Sequence, residues 1–154
     1  MSTSSFPIGN PGTLHSVPLI ERSSTGAGLA LLGRFLFSAI FILASFGDFS
    51  SKGISEATQH GVPMASVLVP LAGVLSLLSG LSIMLGYHAR WGAWGVVLFL
   101  AIITPVMHNF WAETDPNMAA MQMAHFMKNV AMLGAALMIA YQGAGPLSLD
   151  SRRR

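Results

Sequence analysis

The chain alternates between long apolar runs and short polar segments, and this pattern predicts its secondary structure. The apolar runs cover residues 29–46, 64–85, 91–106 and 117–141. With their flanks, each approaches the roughly 20 residues that an α-helix needs to cross the hydrocarbon core of a bilayer. The sequence therefore predicts an all-α fold, a four-transmembrane-helix bundle in which each run forms one helix.

Turn-forming and helix-capping residues separate these predicted helices. Residues 87–90 form a short turn, so the second and third long helices should be antiparallel neighbours. Asp115 and Pro116 are typical of a helix start, and Gly143 is typical of a helix end. Residues 47–62 lie between the first two runs and are interpreted as a polar loop.

The positions of the arginines predict the orientation in the membrane. Four crossings place both termini on one side, together with the arginines at positions 22, 90 and 152–154. The opposite loops have Lys52 as their clear basic residue. By the positive-inside rule, both termini are predicted to be cytoplasmic. The predicted organisation is a flexible N-terminal tail (1–26), a four-helix membrane domain (27–150) and a basic C-terminal tail (151–154).

Composition excludes several classes of protein. Charged residues make up only 9% of the chain and hydrophobic residues 53%, whereas a soluble domain carries charge at about a quarter of its positions. The small excess of basic residues bears on membrane orientation, and no nucleic-acid partner is predicted. The chain contains no cysteine, which excludes disulfides, thiolate metal sites and a dithiol redox relay within it.

Polar residues of the first helix share one face. They recur every three or four positions, so the stripe should face the interior of the bundle and avoid lipid. Arg34 lies near the predicted cytoplasmic end, and Asp150 is its predicted partner in a structural ion pair. The stripe consists of Arg34, Ser38, Phe41, Ser45 and Asp48.

Most of the unusual polar chemistry falls within residues 104–129. On the fourth helix, an arc that contains Lys128 and three methionines (Met118, Met121 and Met132) is predicted to face inward, with Asp48 opposite. Ionisable residues at such a depth indicate a functional site, here an outward-facing pocket in which no residue is assigned a catalytic role. The residues predicted to bind a ligand are Asp48, His108, Asn109, Trp111, Glu113, Gln122, His125, Lys128 and Asn129.

Plainer interpretations of the same residues remain open. Lys128 can extend to the outer surface or pair with Asp48 or Glu113, and His108 can simply cap a helix. Methionine and histidine suit copper(I), and two histidines can ligate haem. Copper is disfavoured because Met123 lies on another face, and haem because neither the spacing nor an attachment motif calls for it. No metal site is predicted.

Four segments, in order, carry a resemblance to a known family. They are LLGRFLFSAIFILASFGDF, GLSIMLGYHARWGAW, the spaced pattern HNFW…DP…Q…HFMKN, and GPLSLD. In these features the chain resembles the DoxX family of small four-helix bacterial membrane proteins, over roughly residues 28–150. The resemblance implies a multi-pass protein of the bacterial inner membrane. The family-typical positions are Arg34, His108, Asn109, Trp111, Lys128 and Asn129.

Two functions follow as hypotheses. The resemblance implies a subunit of a quinone-linked oxidoreductase system of the thiosulfate:quinone type, with a quinone as non-covalent cofactor and a redox partner subunit or homo-oligomer in the bilayer. Lys128 would then supply positive charge, while His108 and His125 would donate or shuttle protons. The alternative is a non-catalytic membrane module, either a partner-binding or assembly subunit or a small-solute permease.

Overall fold

The computed structural model describes residues 24–153, so the predicted tail at residues 1–23 lies outside the described part. Within it the chain is helical and contains no strand. Four of the helices are long and apolar enough to cross a membrane, which confirms the predicted all-α architecture. The helices are α1 (Ser24–Asp48), α2 (Ser51–Gln59), α3 (Ala65–Leu85), α4 (Ala89–Met107) and α5 (Pro116–Gln142), with short 3-10 helices at Phe110–Ala112 and Asp150–Arg153.

The predicted boundaries shift at both tails. Residues 24–26 were expected to belong to the flexible tail, but they form the first turn of α1. At the other terminus, a short 3-10 helix extends from Asp150 to Arg153 and so runs from the last residue of the predicted membrane domain into the predicted basic tail.

The predicted start of the fourth long helix is confirmed in detail. The Asp115 carboxylate accepts hydrogen bonds from the backbone N–H groups of Asn117 and Met118, both at 2.9 Å. Pro116 occupies the first helical position, where its missing N–H costs nothing. At the other end, Gly143 caps α5 with a φ of 83°, a conformation that glycine adopts without strain.

Removing this cap tests its contribution. Asp115→Ala is expected to lower the free energy of unfolding by about 1 kcal/mol, because two N–H groups lose their acceptor. Amide hydrogen exchange at residues 117 and 118 should accelerate, whereas Asp115→Ser, which keeps a side-chain acceptor, should retain most of the protection. Unchanged exchange in the alanine variant would show that the cap is not needed.

The polar segment between the first two long helices is not a plain loop, and this expectation was wrong. It contains α2, whose N-terminus is capped by Ser50 Oγ accepting from the Gly53 N–H at 3.0 Å. Ala57 is buried against Ala65 and Val69 of α3. A helix forms here because a short amphipathic pattern, with one small apolar residue turned towards α3, suffices when tertiary packing supports it.

The long helices pack in a chain of neighbours. α1 packs on α3, α3 on α4 and α4 on α5, so the predicted antiparallel pairing of the helices on either side of residues 87–90 is confirmed. Ser76 Oγ donates to the Phe41 carbonyl of α1 at 3.1 Å, which shows how closely α1 and α3 approach. The central core contains Phe41, Ile83, Ala93, Val96, Leu100, Ala136 and Ala140.

The predicted inward stripe of α1 is confirmed. Four of its members are buried, and Asp48, the last residue of α1, is half-buried. Because these polar groups lie inside the protein, the face of α1 turned to lipid remains apolar. The buried members are Arg34, Ser38, Phe41 and Ser45.

Arg34 and Asp150 make no direct contact within 4 Å, so the predicted ion pair is corrected, although the charge of Asp150 lies near enough to act on Arg34. Arg34 donates from Nη1 to the Ala144 carbonyl at 2.6 Å and from Nη2 to the Leu147 carbonyl at 2.7 Å. Asp150 accepts from the backbone N–H groups of His88 at 2.8 Å and Ala89 at 3.1 Å. The acid is attracted to the unpaired N–H groups at the start of α4, and the guanidinium to carbonyls freed where α5 ends.

Arg34 therefore joins the first helix to the C-terminal segment through carbonyl groups. We call the contacts of Arg34 with Ala144 and Leu147 the C-terminal clasp. We also name the two ends of the bundle. The terminal end carries the start of α1, the turn between α3 and α4 and the clasp, and the loop end carries α2 and residues 108–115.

Candidate functional site

At the loop end, a histidine and a glutamine are held together. His108 is the C-terminal cap of α4, and its Nδ1 lies 2.8 Å from Oε1 of Gln122 on α5. Because an amide oxygen only accepts hydrogen bonds, Nδ1 is the donor in this pair. In the neutral ring the other nitrogen, Nε2, is then left as an acceptor for a ligand.

A second histidine lies against the first. The rings of His108 and His125 stack with their centroids 5.3 Å apart and an interplanar angle of 23°. Gln122 and His125 are one helical turn apart on α5, and both are half-buried. We call His108, Gln122 and His125 the histidine cluster.

The charged groups around the histidine cluster are basic. Lys128, His125 and His60 are the residues whose charges act on His108 in the described part of the chain. Lys128 lies six residues beyond Gln122, about 9 Å further along the axis of α5. A site surrounded in this way favours electron-rich or anionic groups, such as carbonyl oxygens and small anions.

The expectation that Lys128 faces the interior was wrong. Its side chain is exposed, as are those of Met118 and Met121, whereas Asn129 is buried. Successive residues of a helix point about 100° apart. With Asn129 facing the interior, the preceding Lys128 therefore points away from the packed face of α5. The long helix that packs extensively on α5 is α4, so only a narrow face of α5 is covered.

Asp48 does not join the histidine cluster. It lies where α1 and α3 approach closely, since a Cβ atom built on Gly73 would stand 2.8 Å from Asp48 Cβ. In the described range 24–153, Lys128 has no carboxylate within 4 Å, and the ion pair that does form joins Lys52 and Glu56 at 3.7 Å. The prediction that Asp48 lies opposite Lys128 in one pocket is therefore corrected.

The remaining predicted residues frame a short 3-10 helix beside the cluster. Asn109 precedes this helix and Glu113 follows it, and both are half-buried. Trp111, within it, is exposed and meets Phe126 of α5 edge-on with centroids 5.9 Å apart. Phe110 contacts both rings, at 5.2 Å and 5.5 Å. These three aromatic rings hold the 3-10 helix against α5.

Three contributors were missed by the sequence analysis. His60 follows α2 and lies near enough to His108 for its charge to act on that ring. The amphipathic pattern of residues 51–59 could have indicated α2, and with it the position of His60. Phe110 and Phe126 were given no role, although an aromatic pair on either side of a turn is a recognisable packing signal. All three lie at the loop end.

The chemistry open to the histidine cluster is hydrogen bonding and proton transfer. Imidazole rings can donate, accept and titrate near neutral pH, and the lysine adds a positive charge. Across residues 24–153, no three His, Asp or Glu side chains converge in a way that could hold a metal ion.

Comparisons with known proteins agree with this architecture. Residues 29–109 match the sequence model of the DoxX family. The chain is 30% identical to inner membrane protein YphA of Escherichia coli strain K12 over 128 residues, which cover 80% of this chain and 89% of that protein. It is 26% identical to inner membrane protein YqjF of the same strain over 120 residues, 78% of this chain and 88% of that protein. No solved structure matches the chain.

Proposed function

The chain belongs to the DoxX family, and from that premise we propose that it is a quinone-binding membrane subunit of an inner-membrane oxidoreductase system. The observation that carries this proposal is the histidine cluster, in which Gln122 orients His108 and the surrounding charges are basic. A quinone head group presents two carbonyl oxygens, which can accept a hydrogen bond from an N–H of His125, while the hydroxyl of the quinol formed on reduction can donate to Nε2 of His108. The inner membrane is where both named relatives are placed by their own names.

The position of the cluster suits an amphipathic ligand. It lies where α4 ends, at the edge of the apolar span, and α5 continues from His125 with exposed apolar side chains at Met127 and Val130. A quinone head group can bind the imidazoles while its isoprenoid tail lies along α5 in the lipid. Ligand sites of this kind combine a mostly apolar wall with a few placed polar groups.

The proposed roles follow from the side chains. Reduction of a quinone to a quinol takes up two electrons and two protons, with the electrons coming from a redox partner and the protons from the outer aqueous side. His108 and His125 are placed to pass protons to the two oxygens. Lys128 stabilises negative charge that develops on them.

Quinone binding by purified protein tests this proposal. Titration with decylubiquinone, followed by quenching of tryptophan fluorescence, should saturate in the wild type. His108→Asn should raise the Kd about tenfold or more, equivalent to about 1.4 kcal/mol, because the ring that stacks on His125 is lost. The matched control is His88→Asn, which alters a histidine at the terminal end and should leave the Kd unchanged. Equal affinity in the His108 variant, or no saturable binding by the wild type, contradicts the proposal.

A second function is favoured by the exposure of α5. Only about a tenth of its apolar window, 11%, is buried inside the protein, and Lys128 lies on the exposed part. In a non-catalytic assembly subunit, Lys128 would bind an acidic residue of a partner helix. Lys128→Met separates the two functions. It should weaken quinone binding if the protein is a quinone-binding subunit, and it should weaken only complex assembly if the protein is an assembly subunit. Lys52→Met is the control.

A further inference from the structure

The terminal end contains two neighbouring cavities that lie between the start of α4 and the end of α5. The first has a volume of about 490 Å³ and contains His88, Trp91 and Ser148 in its wall. The second has a volume of about 760 Å³. Arg90 and Gln142 line both, so the two cavities adjoin, and we call them together the recess.

The acidic residue in the wall of the first cavity is already engaged. Asp150 lies in the wall, but its two carboxylate oxygens accept from the backbone N–H groups of His88 and Ala89. Arg90 is exposed and has no carboxylate within 4 Å in the described chain. The group left to attract a ligand in this cavity is therefore a guanidinium, which binds phosphate oxygens in a bidentate manner.

The position of Arg90 is set by the end of α5. A Cβ atom added at Gly143 would stand 3.3 Å from Arg90 Nε, so the glycine lets the guanidinium lie against the last turn of that helix. Ser148 and Ser151 line the same cavity, but their hydroxyl groups donate to the carbonyls of Gly145 and Ser148. Arg90 is therefore the group that offers free hydrogen-bond donors to the recess.

Apolar side chains form most of the wall of the second cavity. Trp94, Leu137, Ala140 and Tyr141 form its wall below Arg90. Trp94 and Tyr141 are exposed, as is typical of aromatic residues at the boundary between head groups and acyl chains. The recess thus has a basic polar part at the membrane surface and an apolar part that descends into the membrane.

We propose that this recess binds one anionic phospholipid, with its phosphate on Arg90 and an acyl chain along Trp94 and Leu137. The occupant is a lipid, and not a free phosphate, because the apolar part continues directly from the basic part. Basic recesses between membrane helices on the cytoplasmic side are suited to anionic head groups, and the arginine distribution predicts that the terminal end is cytoplasmic. The proposal is independent of the histidine cluster, which lies at the loop end.

Native mass spectrometry of the detergent-solubilised full chain tests the proposal. The wild type, offered equal amounts of dioleoyl phosphatidylglycerol and dioleoyl phosphatidylcholine, should retain one phosphatidylglycerol in preference. Arg90→Gln should reduce that preference about fivefold, as expected for the loss of one basic residue at an anionic surface. Arg90→Lys should keep most of it, and circular dichroism should show an unchanged helix content in both variants.

The control is Arg152→Gln, which removes an exposed arginine from the same end of the bundle. It should change the preference by less than about twofold, since Arg152 does not line the recess. An equal loss in the Arg90 and Arg152 variants would show diffuse surface charge instead of a site and overturn the proposal. Displacement of the lipid by millimolar inorganic phosphate would overturn it as well, because it would identify an anion site.

Discussion

Replacing Arg34 by methionine is expected to lower the free energy of unfolding by about 3 kcal/mol or more. The C-terminal clasp consists of two hydrogen bonds from one charged side chain, at 2.6 Å and 2.7 Å, and such bonds contribute roughly 1.5–3 kcal/mol each. Methionine fills similar space but leaves the carbonyls of Ala144 and Leu147 unpaired. The C-terminal segment would then lose its tie to α1 and be held only by its hydrogen bonds to the turn between α3 and α4.

Unfolding of the purified protein in mixed micelles with increasing dodecyl sulfate measures this loss. Hydrogen exchange should also accelerate at Leu149 and Asp150, whose N–H groups bond to the carbonyls of Leu85 and Gly86 at 3.3 Å and 2.8 Å. Arg152→Met serves as the control because that arginine is exposed. Wild-type stability in the Arg34 variant would mean that the clasp contributes little to the fold.

Gly80→Leu is expected to be the next most damaging change, at about 1–3 kcal/mol or more. A Cβ atom at Gly80 would stand 2.9 Å from Ile42 Cγ1 and 3.4 Å from both Phe41 Cβ and the Ser38 carbonyl oxygen. α1 and α3 would have to separate, and the hydrogen bond from Ser76 to α1 would weaken. Small residues at such positions let membrane helices approach closely.

The matched control is Gly134→Leu on α5, where nothing lies within 4 Å of an added Cβ atom. Both variants insert the same side chain into a helix long and apolar enough to cross a membrane, and they differ in how closely a neighbouring helix packs on the glycine. The same dodecyl sulfate titration should show a lower midpoint for the Gly80 variant and a nearly unchanged one for the Gly134 variant. Similar midpoints would contradict the close approach of α1 and α3.

Sequence patterns predicted most of the fold because membrane helices are specified locally. Length and apolarity identify the four spans, and individual groups such as Asp115 and Gly143 mark the ends of α5. The buried stripe of α1 was also predictable, since charged and hydroxyl side chains avoid lipid. Each of these features depends on residues close together in the chain.

Features that depend on distant partners were not predictable in the same way. Arg34 and Asp150 were correctly placed at the same end of the bundle, yet each found backbone partners that no residue pattern reveals. α2 was missed because its stability comes from contacts of Ala57 with α3. Lys128 was placed inside because helical periodicity groups residues on a face without showing how much of that face a neighbour covers.

The candidate site was predicted in part for the same reason. His108, Gln122 and His125 were placed together by the turn that joins α4 to α5, and the structure brings them into contact. Asp48 was assigned to the same site because it shares their membrane level. It lies against α3, because a shared level does not determine which helix is the neighbour.

Photolabelling with an azido-quinone tests most directly whether the histidine cluster binds quinone. After illumination of the purified protein, peptide mass spectrometry should find the label within residues 104–129, and excess decylubiquinone should suppress it. The His108→Asn variant should show a lower yield of label within residues 104–129 and an unchanged yield in all other peptides. Label confined to the terminal end, or label in residues 104–129 that decylubiquinone does not suppress, would contradict a quinone site at His108, Gln122 and His125.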